Sequence, residues 1–214
     1  MWWFPVLSLN RFFACNPTPF AVSSRIDYDL NARCPSVSPK TTRTVSMFLA
    51  NSQELLAKQN LPRIVKCLQQ LSEEDIWWRP NSASNSIGNL VLHLSGNVRQ
   101  WIVSGLGGAE FRRERDREFA EHGPIRREVL GKQLRETVRD ACRVLAQLSD
   151  DSLSRKYDIQ GFHVTGLDAV FHVTEHFGYH SGQIIYITKL KRAQDLKFTH
   201  LPVIKPAIKK AGAG

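Results

Sequence analysis

Between Arg127 and Leu148 the apolar residues Leu130, Leu134, Val138, Ala141, Leu145 and Leu148 recur at spacings of four, four, three, four and three. That rhythm follows the 3.6-residue turn of an α-helix, not the two-residue alternation of a strand. A helix with one apolar stripe must lay it against another apolar surface. Three further segments offer one. The first runs from about Asn51 to Leu71, with Leu61, Ile64, Val65, Leu68 and Leu71 on one face. Pro62 interrupts it and predicts a kink or a restart, because proline donates no backbone hydrogen bond. The second begins near Ser86 and ends before Gly105. Its apolar residues Ile87, Leu90, Val91, Leu94, Val98, Trp101 and Ile102 cover more than half the circumference, which predicts deep burial. The last opens at Thr165-Gly-Leu-Asp168, a capping box, and runs to about Lys191. Lys189, Lys191 and Arg192 suit the negative end of its dipole. Four such segments predict an all-α fold, a four-helix bundle.

The connections read less clearly. Ser72-Glu-Glu-Asp75 looks like a capping box for a short turn carrying Ile76, Trp77 and Trp78, and Arg79–Asn85 reads as a loop. Gly105, Gly107 and Gly108 stop the second helix. Residues 112–121 mix both charge signs and read as a solvated loop or short helix. Asp150 and Asp151 are expected to end the third helix, and Tyr157–Val164 to form an extended returning loop. Neither a strand pattern nor an internal repeat stands out.

Net charge is +9, but it sits at the ends. Residues 1–46 carry +3 and residues 189–214 carry +6, while 47–188 hold seventeen charges of each sign. A nucleic-acid module shows a basic stripe on its folded face, so no specific nucleic-acid partner is expected. No apolar run reaches the roughly 18–20 residues of a membrane span, so no membrane is expected either. The hydrophobic start, MWWFPVLSLNRFFAC, lacks a basic residue ahead of it and is broken by Asn10 and Arg11, a poor secretory signal. Residues 16–46 are rich in Ser, Thr, Pro and Arg without period. Residues 1–46 are therefore expected to be a disordered extension, or to lie upstream of a start at Met47. The bundle is expected over 47–200 and an irregular basic tail over 201–214. Cys15, Cys34, Cys67 and Cys142 form no CxxC. Cys67 and Cys142 fall on apolar helical stretches as small buried hydrophobes. Four scattered cysteines suit a reducing, cytoplasmic compartment.

The chemistry concentrates in histidines. His172, His176 and His180 stand four apart in FHVTEHFGYHSGQI, and His93 lies in the apolar NLVLHLSGN. Residues four apart differ by about 40° around a helix, so His176 and His180 share a face. Neutral imidazoles at that spacing can bind one divalent metal, and His93 from a facing helix can supply a third ligand. Such a site keeps positions open for water or substrate. Taken singly, His93 also reads as a hydrogen-bonded core residue.

The stretch PNSASNSIGNLVLHLSGN around His93, together with EHFGYHSGQI from Glu175 to Ile184, resembles the DinB-like superfamily over about residues 48–200. The resemblance implies a four-helix bundle in which His93, His176 and His180 bind a divalent metal, zinc or nickel. His172 matches a helix histidine that is not a ligand. Relatives include transferases and isomerases that use low-molecular-weight thiols, so a thiol and a small electrophile are the implied partners. The implied activity is that of a thiol-dependent S-transferase, or a hydrolase of small molecules. Asn97, one turn beyond His93, and Gln183, one turn beyond His180, can orient ligands or substrate, or simply bond between helices. Glu175 points about 100° away from His176. Arg99, Arg112, Arg113 and Arg115 can meet a substrate carboxylate only if their loop folds over the site. The competing reading is a non-catalytic bundle stabilised by metal, a structural or binding protein of stress response. The wide apolar coverage of the second helix leaves room for a homodimer.

Overall fold

The computed structural model describes residues 41–198. Residues 1–40 and 199–214, and with them most of the expected extension, the basic tail, Cys15 and Cys34, lie outside the described residues.

Helix α1 (Arg43–Gln53) passes through a π-helical stretch (Glu54–Asn60) into α2 (Leu61–Gln70). At Pro62 the chain changes helix type and does not break: Asn60 and Leu61 stay right-handed helical, and the π-helical stretch ends where the proline has no N–H to donate. The start is earlier than the Asn51 that the apolar seam suggests. The Thr42 N–H and hydroxyl donate to the Asp150 carboxylate at 3.1–3.2 Å, and no local pattern reveals that tertiary tie.

A short helix, α3 (Glu73–Trp77), follows, with the Ser72 hydroxyl accepting from the Asp75 N–H at 3.0 Å. Helix α4 (Ile87–Val98) opens on a Ser86/Asn89 capping box and runs on as a π-helical stretch (Arg99–Ser104). Then come α5 (Arg115–Ala120), α6 (Arg127–Gln147) and α7 (Asp150–Ser154). Asp150 and Asp151 do not simply end the third long helix. They occupy the first turn of α7, where acidic side chains favour the positive helix end, and Ser149 caps it.

Strands β1 (Lys156–Ile159) and β2 (Phe162–Thr165) form an antiparallel hairpin where an extended loop was expected. Ile159 pairs with Phe162. The two-residue turn between them, Gln160-Gly161, has φ of 55° and 80°, the positive pair that a type I′ turn demands. Each strand has four residues and only Ile159 is fully buried, so no alternating pattern is long enough to read. Helix α8 (Gly166–Arg192) then starts on the Thr165/Asp168 capping box.

The long helices α1–α2, α4, α6 and α8 pack as a predominantly helical bundle. Leu49, Leu56, Ile64, Leu94, Ile102, Leu130, Leu134, Leu145 and Phe177 lie fully buried in its core. Cys67 and Cys142 are buried there. The broad apolar coverage of α4 is consumed inside the bundle, since every residue from Ile87 to Val98 except Leu92 is buried. Among the described residues no helix is long and apolar enough to cross a membrane.

Candidate metal centre

Helices α4 and α8 face each other across the core and bring three of the four candidate histidines together. His93 rises from α4; His176 and His180 descend from successive turns of α8. One ring nitrogen of each lies within 4.8 Å of the others. The Nε2 atoms of His93 and His176 are 2.9 Å apart. The rings meet edge to face, with centroids 5.0 Å apart for His93 and His180 and 4.4 Å for His176 and His180.

Two of the rings are held from behind. Gln183 Oε1 accepts from His180 Nδ1–H at 2.7 Å. Glu118 Oε2 accepts from His93 Nδ1–H at 3.0 Å. Arg113 Nη2 also lies 3.0 Å from His93 Nδ1, but of these two charged neighbours only the carboxylate can accept. The proton on Nδ1 therefore faces Glu118. In both rings Nε2 is then the unprotonated nitrogen, and that of His93 faces His176 Nε2. Fixing the remote nitrogen in this way sets tautomer and ring orientation for metal ligation.

The charges around the cluster agree. Burial pushes His176 down to about 2, helped by His180, His93, His172 and Arg113. Burial likewise pushes His180 down to about 4, against the opposing Gln183 hydrogen bond. His93 is lowered by burial too, although Glu118 works in the other direction. These are neutral imidazoles, the form that ligates a cation. Three convergent imidazoles thus suit a divalent metal.

Glu118 belongs to the charged run that reads as solvated in sequence. Its side chain is 11% exposed and that of Arg113 only 3%, so they form a buried ion pair. Arg113 Nε donates to Glu118 Oε1 and Nη2 to Oε2, both at 2.7 Å. Arg113 also donates to Gln100 Oε1 at 3.0 Å and to the His93 carbonyl at 3.3 Å. Burial opposes ionisation of Glu118, but hydrogen bonds from Arg113 and His93 hold its carboxyl below the usual range. The pair crosses α4 at Gly96, where an added Cβ would run into the Glu118 carboxylate and the Arg113 guanidinium. Polar contacts anchor α5 itself. Asn89 Nδ2 donates to the carbonyls of Glu118 at 2.9 Å and Glu121 at 2.8 Å. Arg79 Nη2 donates to those of Phe119 and Glu121, at 3.0 and 3.1 Å. The one trace of this in the sequence is a glycine in the middle of an apolar helix.

The remaining candidates divide. His172 stands beside the three rings, against Trp101 (centroids 4.3 Å) and His176 (5.3 Å). Asn97 Nδ2 lies 3.4 Å from His172 Nε2, so Asn97 addresses that ring. The hairpin tip leans on Trp101, whose Nε1–H donates to Gln160 Oε1 at 3.2 Å and whose ring stacks on Phe162 at 6.3 Å. Glu175 is exposed. Arg99 donates to Thr137 Oγ1 at 3.2 Å, and Arg115 lies 4.9 Å over the Phe119 ring. Arg112 lines an open cavity between α4 and α5 with Arg99 and Glu114. Of the four arginines only Arg113 reaches the histidines.

Residues 45–205 match a protein family described as "Protein of unknown function (DUF1572)". The chain belongs to that family. This DUF1572 chain matches no curated protein. It is similar in fold to a DinB-like protein from Bacillus cereus at 17% identity and a TM-score of 0.51, over 63% of this chain and 87% of that one. A conserved protein from Enterococcus faecalis aligns at 18% identity and a TM-score of 0.55, over 73% of this chain and all 100% of its own length. At such identities the likeness is one of fold, and the fold of this DUF1572 chain is DinB-like.

Proposed function

We propose that His93, His176 and His180 hold one divalent cation, zinc or nickel, and that the protein is a thiol-dependent S-transferase or a small-molecule hydrolase. One observation carries the metal assignment: two of three converging, neutral imidazoles have their outer nitrogens fixed, by Glu118 and by Gln183. Held there, a divalent cation would acidify a coordinated thiol or water and polarise a bound electrophile.

The chain's own groups divide the remaining work. Gln183 and Glu118 keep the Nε2 lone pairs of His180 and His93 aimed inward. Asn97 orients His172, which borders the cluster without joining it. Trp101 and the hairpin tip wall that side and limit water. A purely structural zinc is normally closed by four protein ligands, whereas three histidines form the cluster among the described residues. That count favours a site open to exchange over a closed structural one. A cytoplasmic location belongs to the same proposal, supported by the free, buried thiol of Cys67.

The test is elemental analysis of the purified protein by plasma mass spectrometry, beside a His93→Ala/His176→Ala/His180→Ala variant. About one metal per chain, lost in the variant, supports the site and directs a screen of thiols against electrophiles. No metal after reconstitution with zinc, nickel or manganese removes both the site and the chemistry.

A further inference from the structure

Helix α8 carries a second pattern, on the face turned away from the core. Phe171, Glu175, Gly178, Gly182, Tyr186 and Lys189 recur at spacings of four, three, four, four and three. At about 100° per residue they form one seam. Phe171 is 64% and Tyr186 65% exposed, and Glu175, Gly182 and Lys189 are exposed as well. Gly178 is half-buried.

Nothing in the bundle explains the two glycines. An added Cβ at Gly182 meets nothing within 4 Å, and at Gly178 only the tip of Asn60, at 4.0 Å. Glycine in a helix interior is unfavourable in backbone entropy, so its use here without an internal neighbour points to an outside one. Exposed aromatic residues beside that opening are the usual mark of an association surface.

We infer that this face is the interface of a homodimer in which two copies of α8 pack antiparallel about a two-fold axis at Gly182. The seam is complementary to itself in that arrangement. Residues whose numbers sum to 364 meet across the axis. Glu175 meets Lys189 twice, and among the described residues neither has an ion-pair partner within its own chain. Tyr186 meets Gly178, a large side chain over a bare backbone. Gly182 meets its own copy, so the helices can approach closely at the axis. A two-fold contact requires such reciprocity, each residue finding on the partner what its counterpart offers. Exposed ion pairs add little affinity, and their part here is to select the register.

The dimer is independent of the metal assignment and uses another face of the same helix. Tyr179, 59% exposed, borders the seam and has its ring 5.1 Å from that of His180. Pairing of the two α8 helices would cover Tyr179 from outside.

The experiment is sedimentation velocity on the full chain, from low to high micromolar, with four variants. The wild type is expected as a dimer. Gly182→Arg places bulk and like charge on the axis and should give a monomer with unchanged helical circular dichroism, since its own bundle leaves that position open. Glu175→Lys and Lys189→Glu should each weaken the dimer at least 10-fold, and the double exchange should restore it. A monomeric wild type overturns the inference, and so does a dimer indifferent to Gly182→Arg. Failure of the double exchange to restore pairing overturns the register. A wild-type monomer that dimerises only when residues 1–40 are removed would show a segment of the same chain on the seam, which also overturns it.

Discussion

Glu118 reaches His93 Nδ1 at 3.0 Å from a separate helix, 25 positions further along the chain. The contact turns a core histidine into an aimed one. It exists only because Gly96 offers no side chain where the carboxylate crosses α4.

Removing that contact should loosen the metal without removing a ligand. Glu118→Ala is expected to lower metal affinity about 10–100-fold, the usual effect of losing a partner to a ligating histidine. Gly96→Ala should do the same by displacing the carboxylate. Competition against a chromophoric chelator measures both, and affinity equal to wild type would separate Glu118 from the site.

The two neighbouring histidines of α8 should behave differently. His176→Ala is expected to abolish stoichiometric metal binding, and His172→Ala to leave it, because His172 lies against Trp101 and Asn97 instead. Elemental analysis of the two variants decides. Equal loss in both would put His172 among the ligands.

Acid should destabilise the metal-free protein well above the range in which carboxylates titrate. An unfolded histidine takes up its proton near pH ~6.5. In the fold His180 is pushed down to about 4 and His176 to about 2. Below pH ~6.5 the unfolded chain therefore binds more protons than the folded one, and stability falls as pH falls. The loss should develop from pH ~6.5 downward, through the His180 value and on toward the His176 value. Urea unfolding of chelator-treated protein at several pH values tests it. The triple alanine variant should show a flatter dependence over the upper part of that window, and an equally steep one would assign the effect elsewhere.

The hairpin supplies a control at a position that touches none of the three clustered histidines. Gly161 has φ of 80° and open space around it, so Gly161→Ala brings strain without a clash. It should cost about 1–2 kcal/mol, as expected for an L-residue in the left-handed region, with metal affinity unchanged. Denaturant titration and chelator competition on the same sample read the two quantities.

The long helices were legible because each announces its own burial. The seam from Leu130 to Leu148 requires a helix whatever packs on it, and Thr165 with Asp168 marks a helix start within four residues. The histidine row was legible for the same reason: spacing along one helix is local. What escaped depends on distant partners. Thr42 begins α1 through Asp150, and Asp150 opens α7. The hairpin strands are too short and too exposed to alternate clearly. Arg113 and Glu118 look like two solvated charges until Gly96 lets them sink together, and charge composition alone carries no sign of that.

Helix α5 has no buried residue of its own. It stays on α4 through the polar contacts of Arg79, Asn89 and Arg113 and through one ring, Phe119 against His93 at 4.7 Å, and not through an apolar stripe. Segments held that way open locally at free energies far below that of the whole domain. Warming or mild denaturant will therefore peel α5 from a bundle that is still folded, and His93 will lose its carboxylate first. The order of failure is built in: competence goes before architecture, so hydrogen exchange at 115–120 will outrun that of α8 by a wide margin.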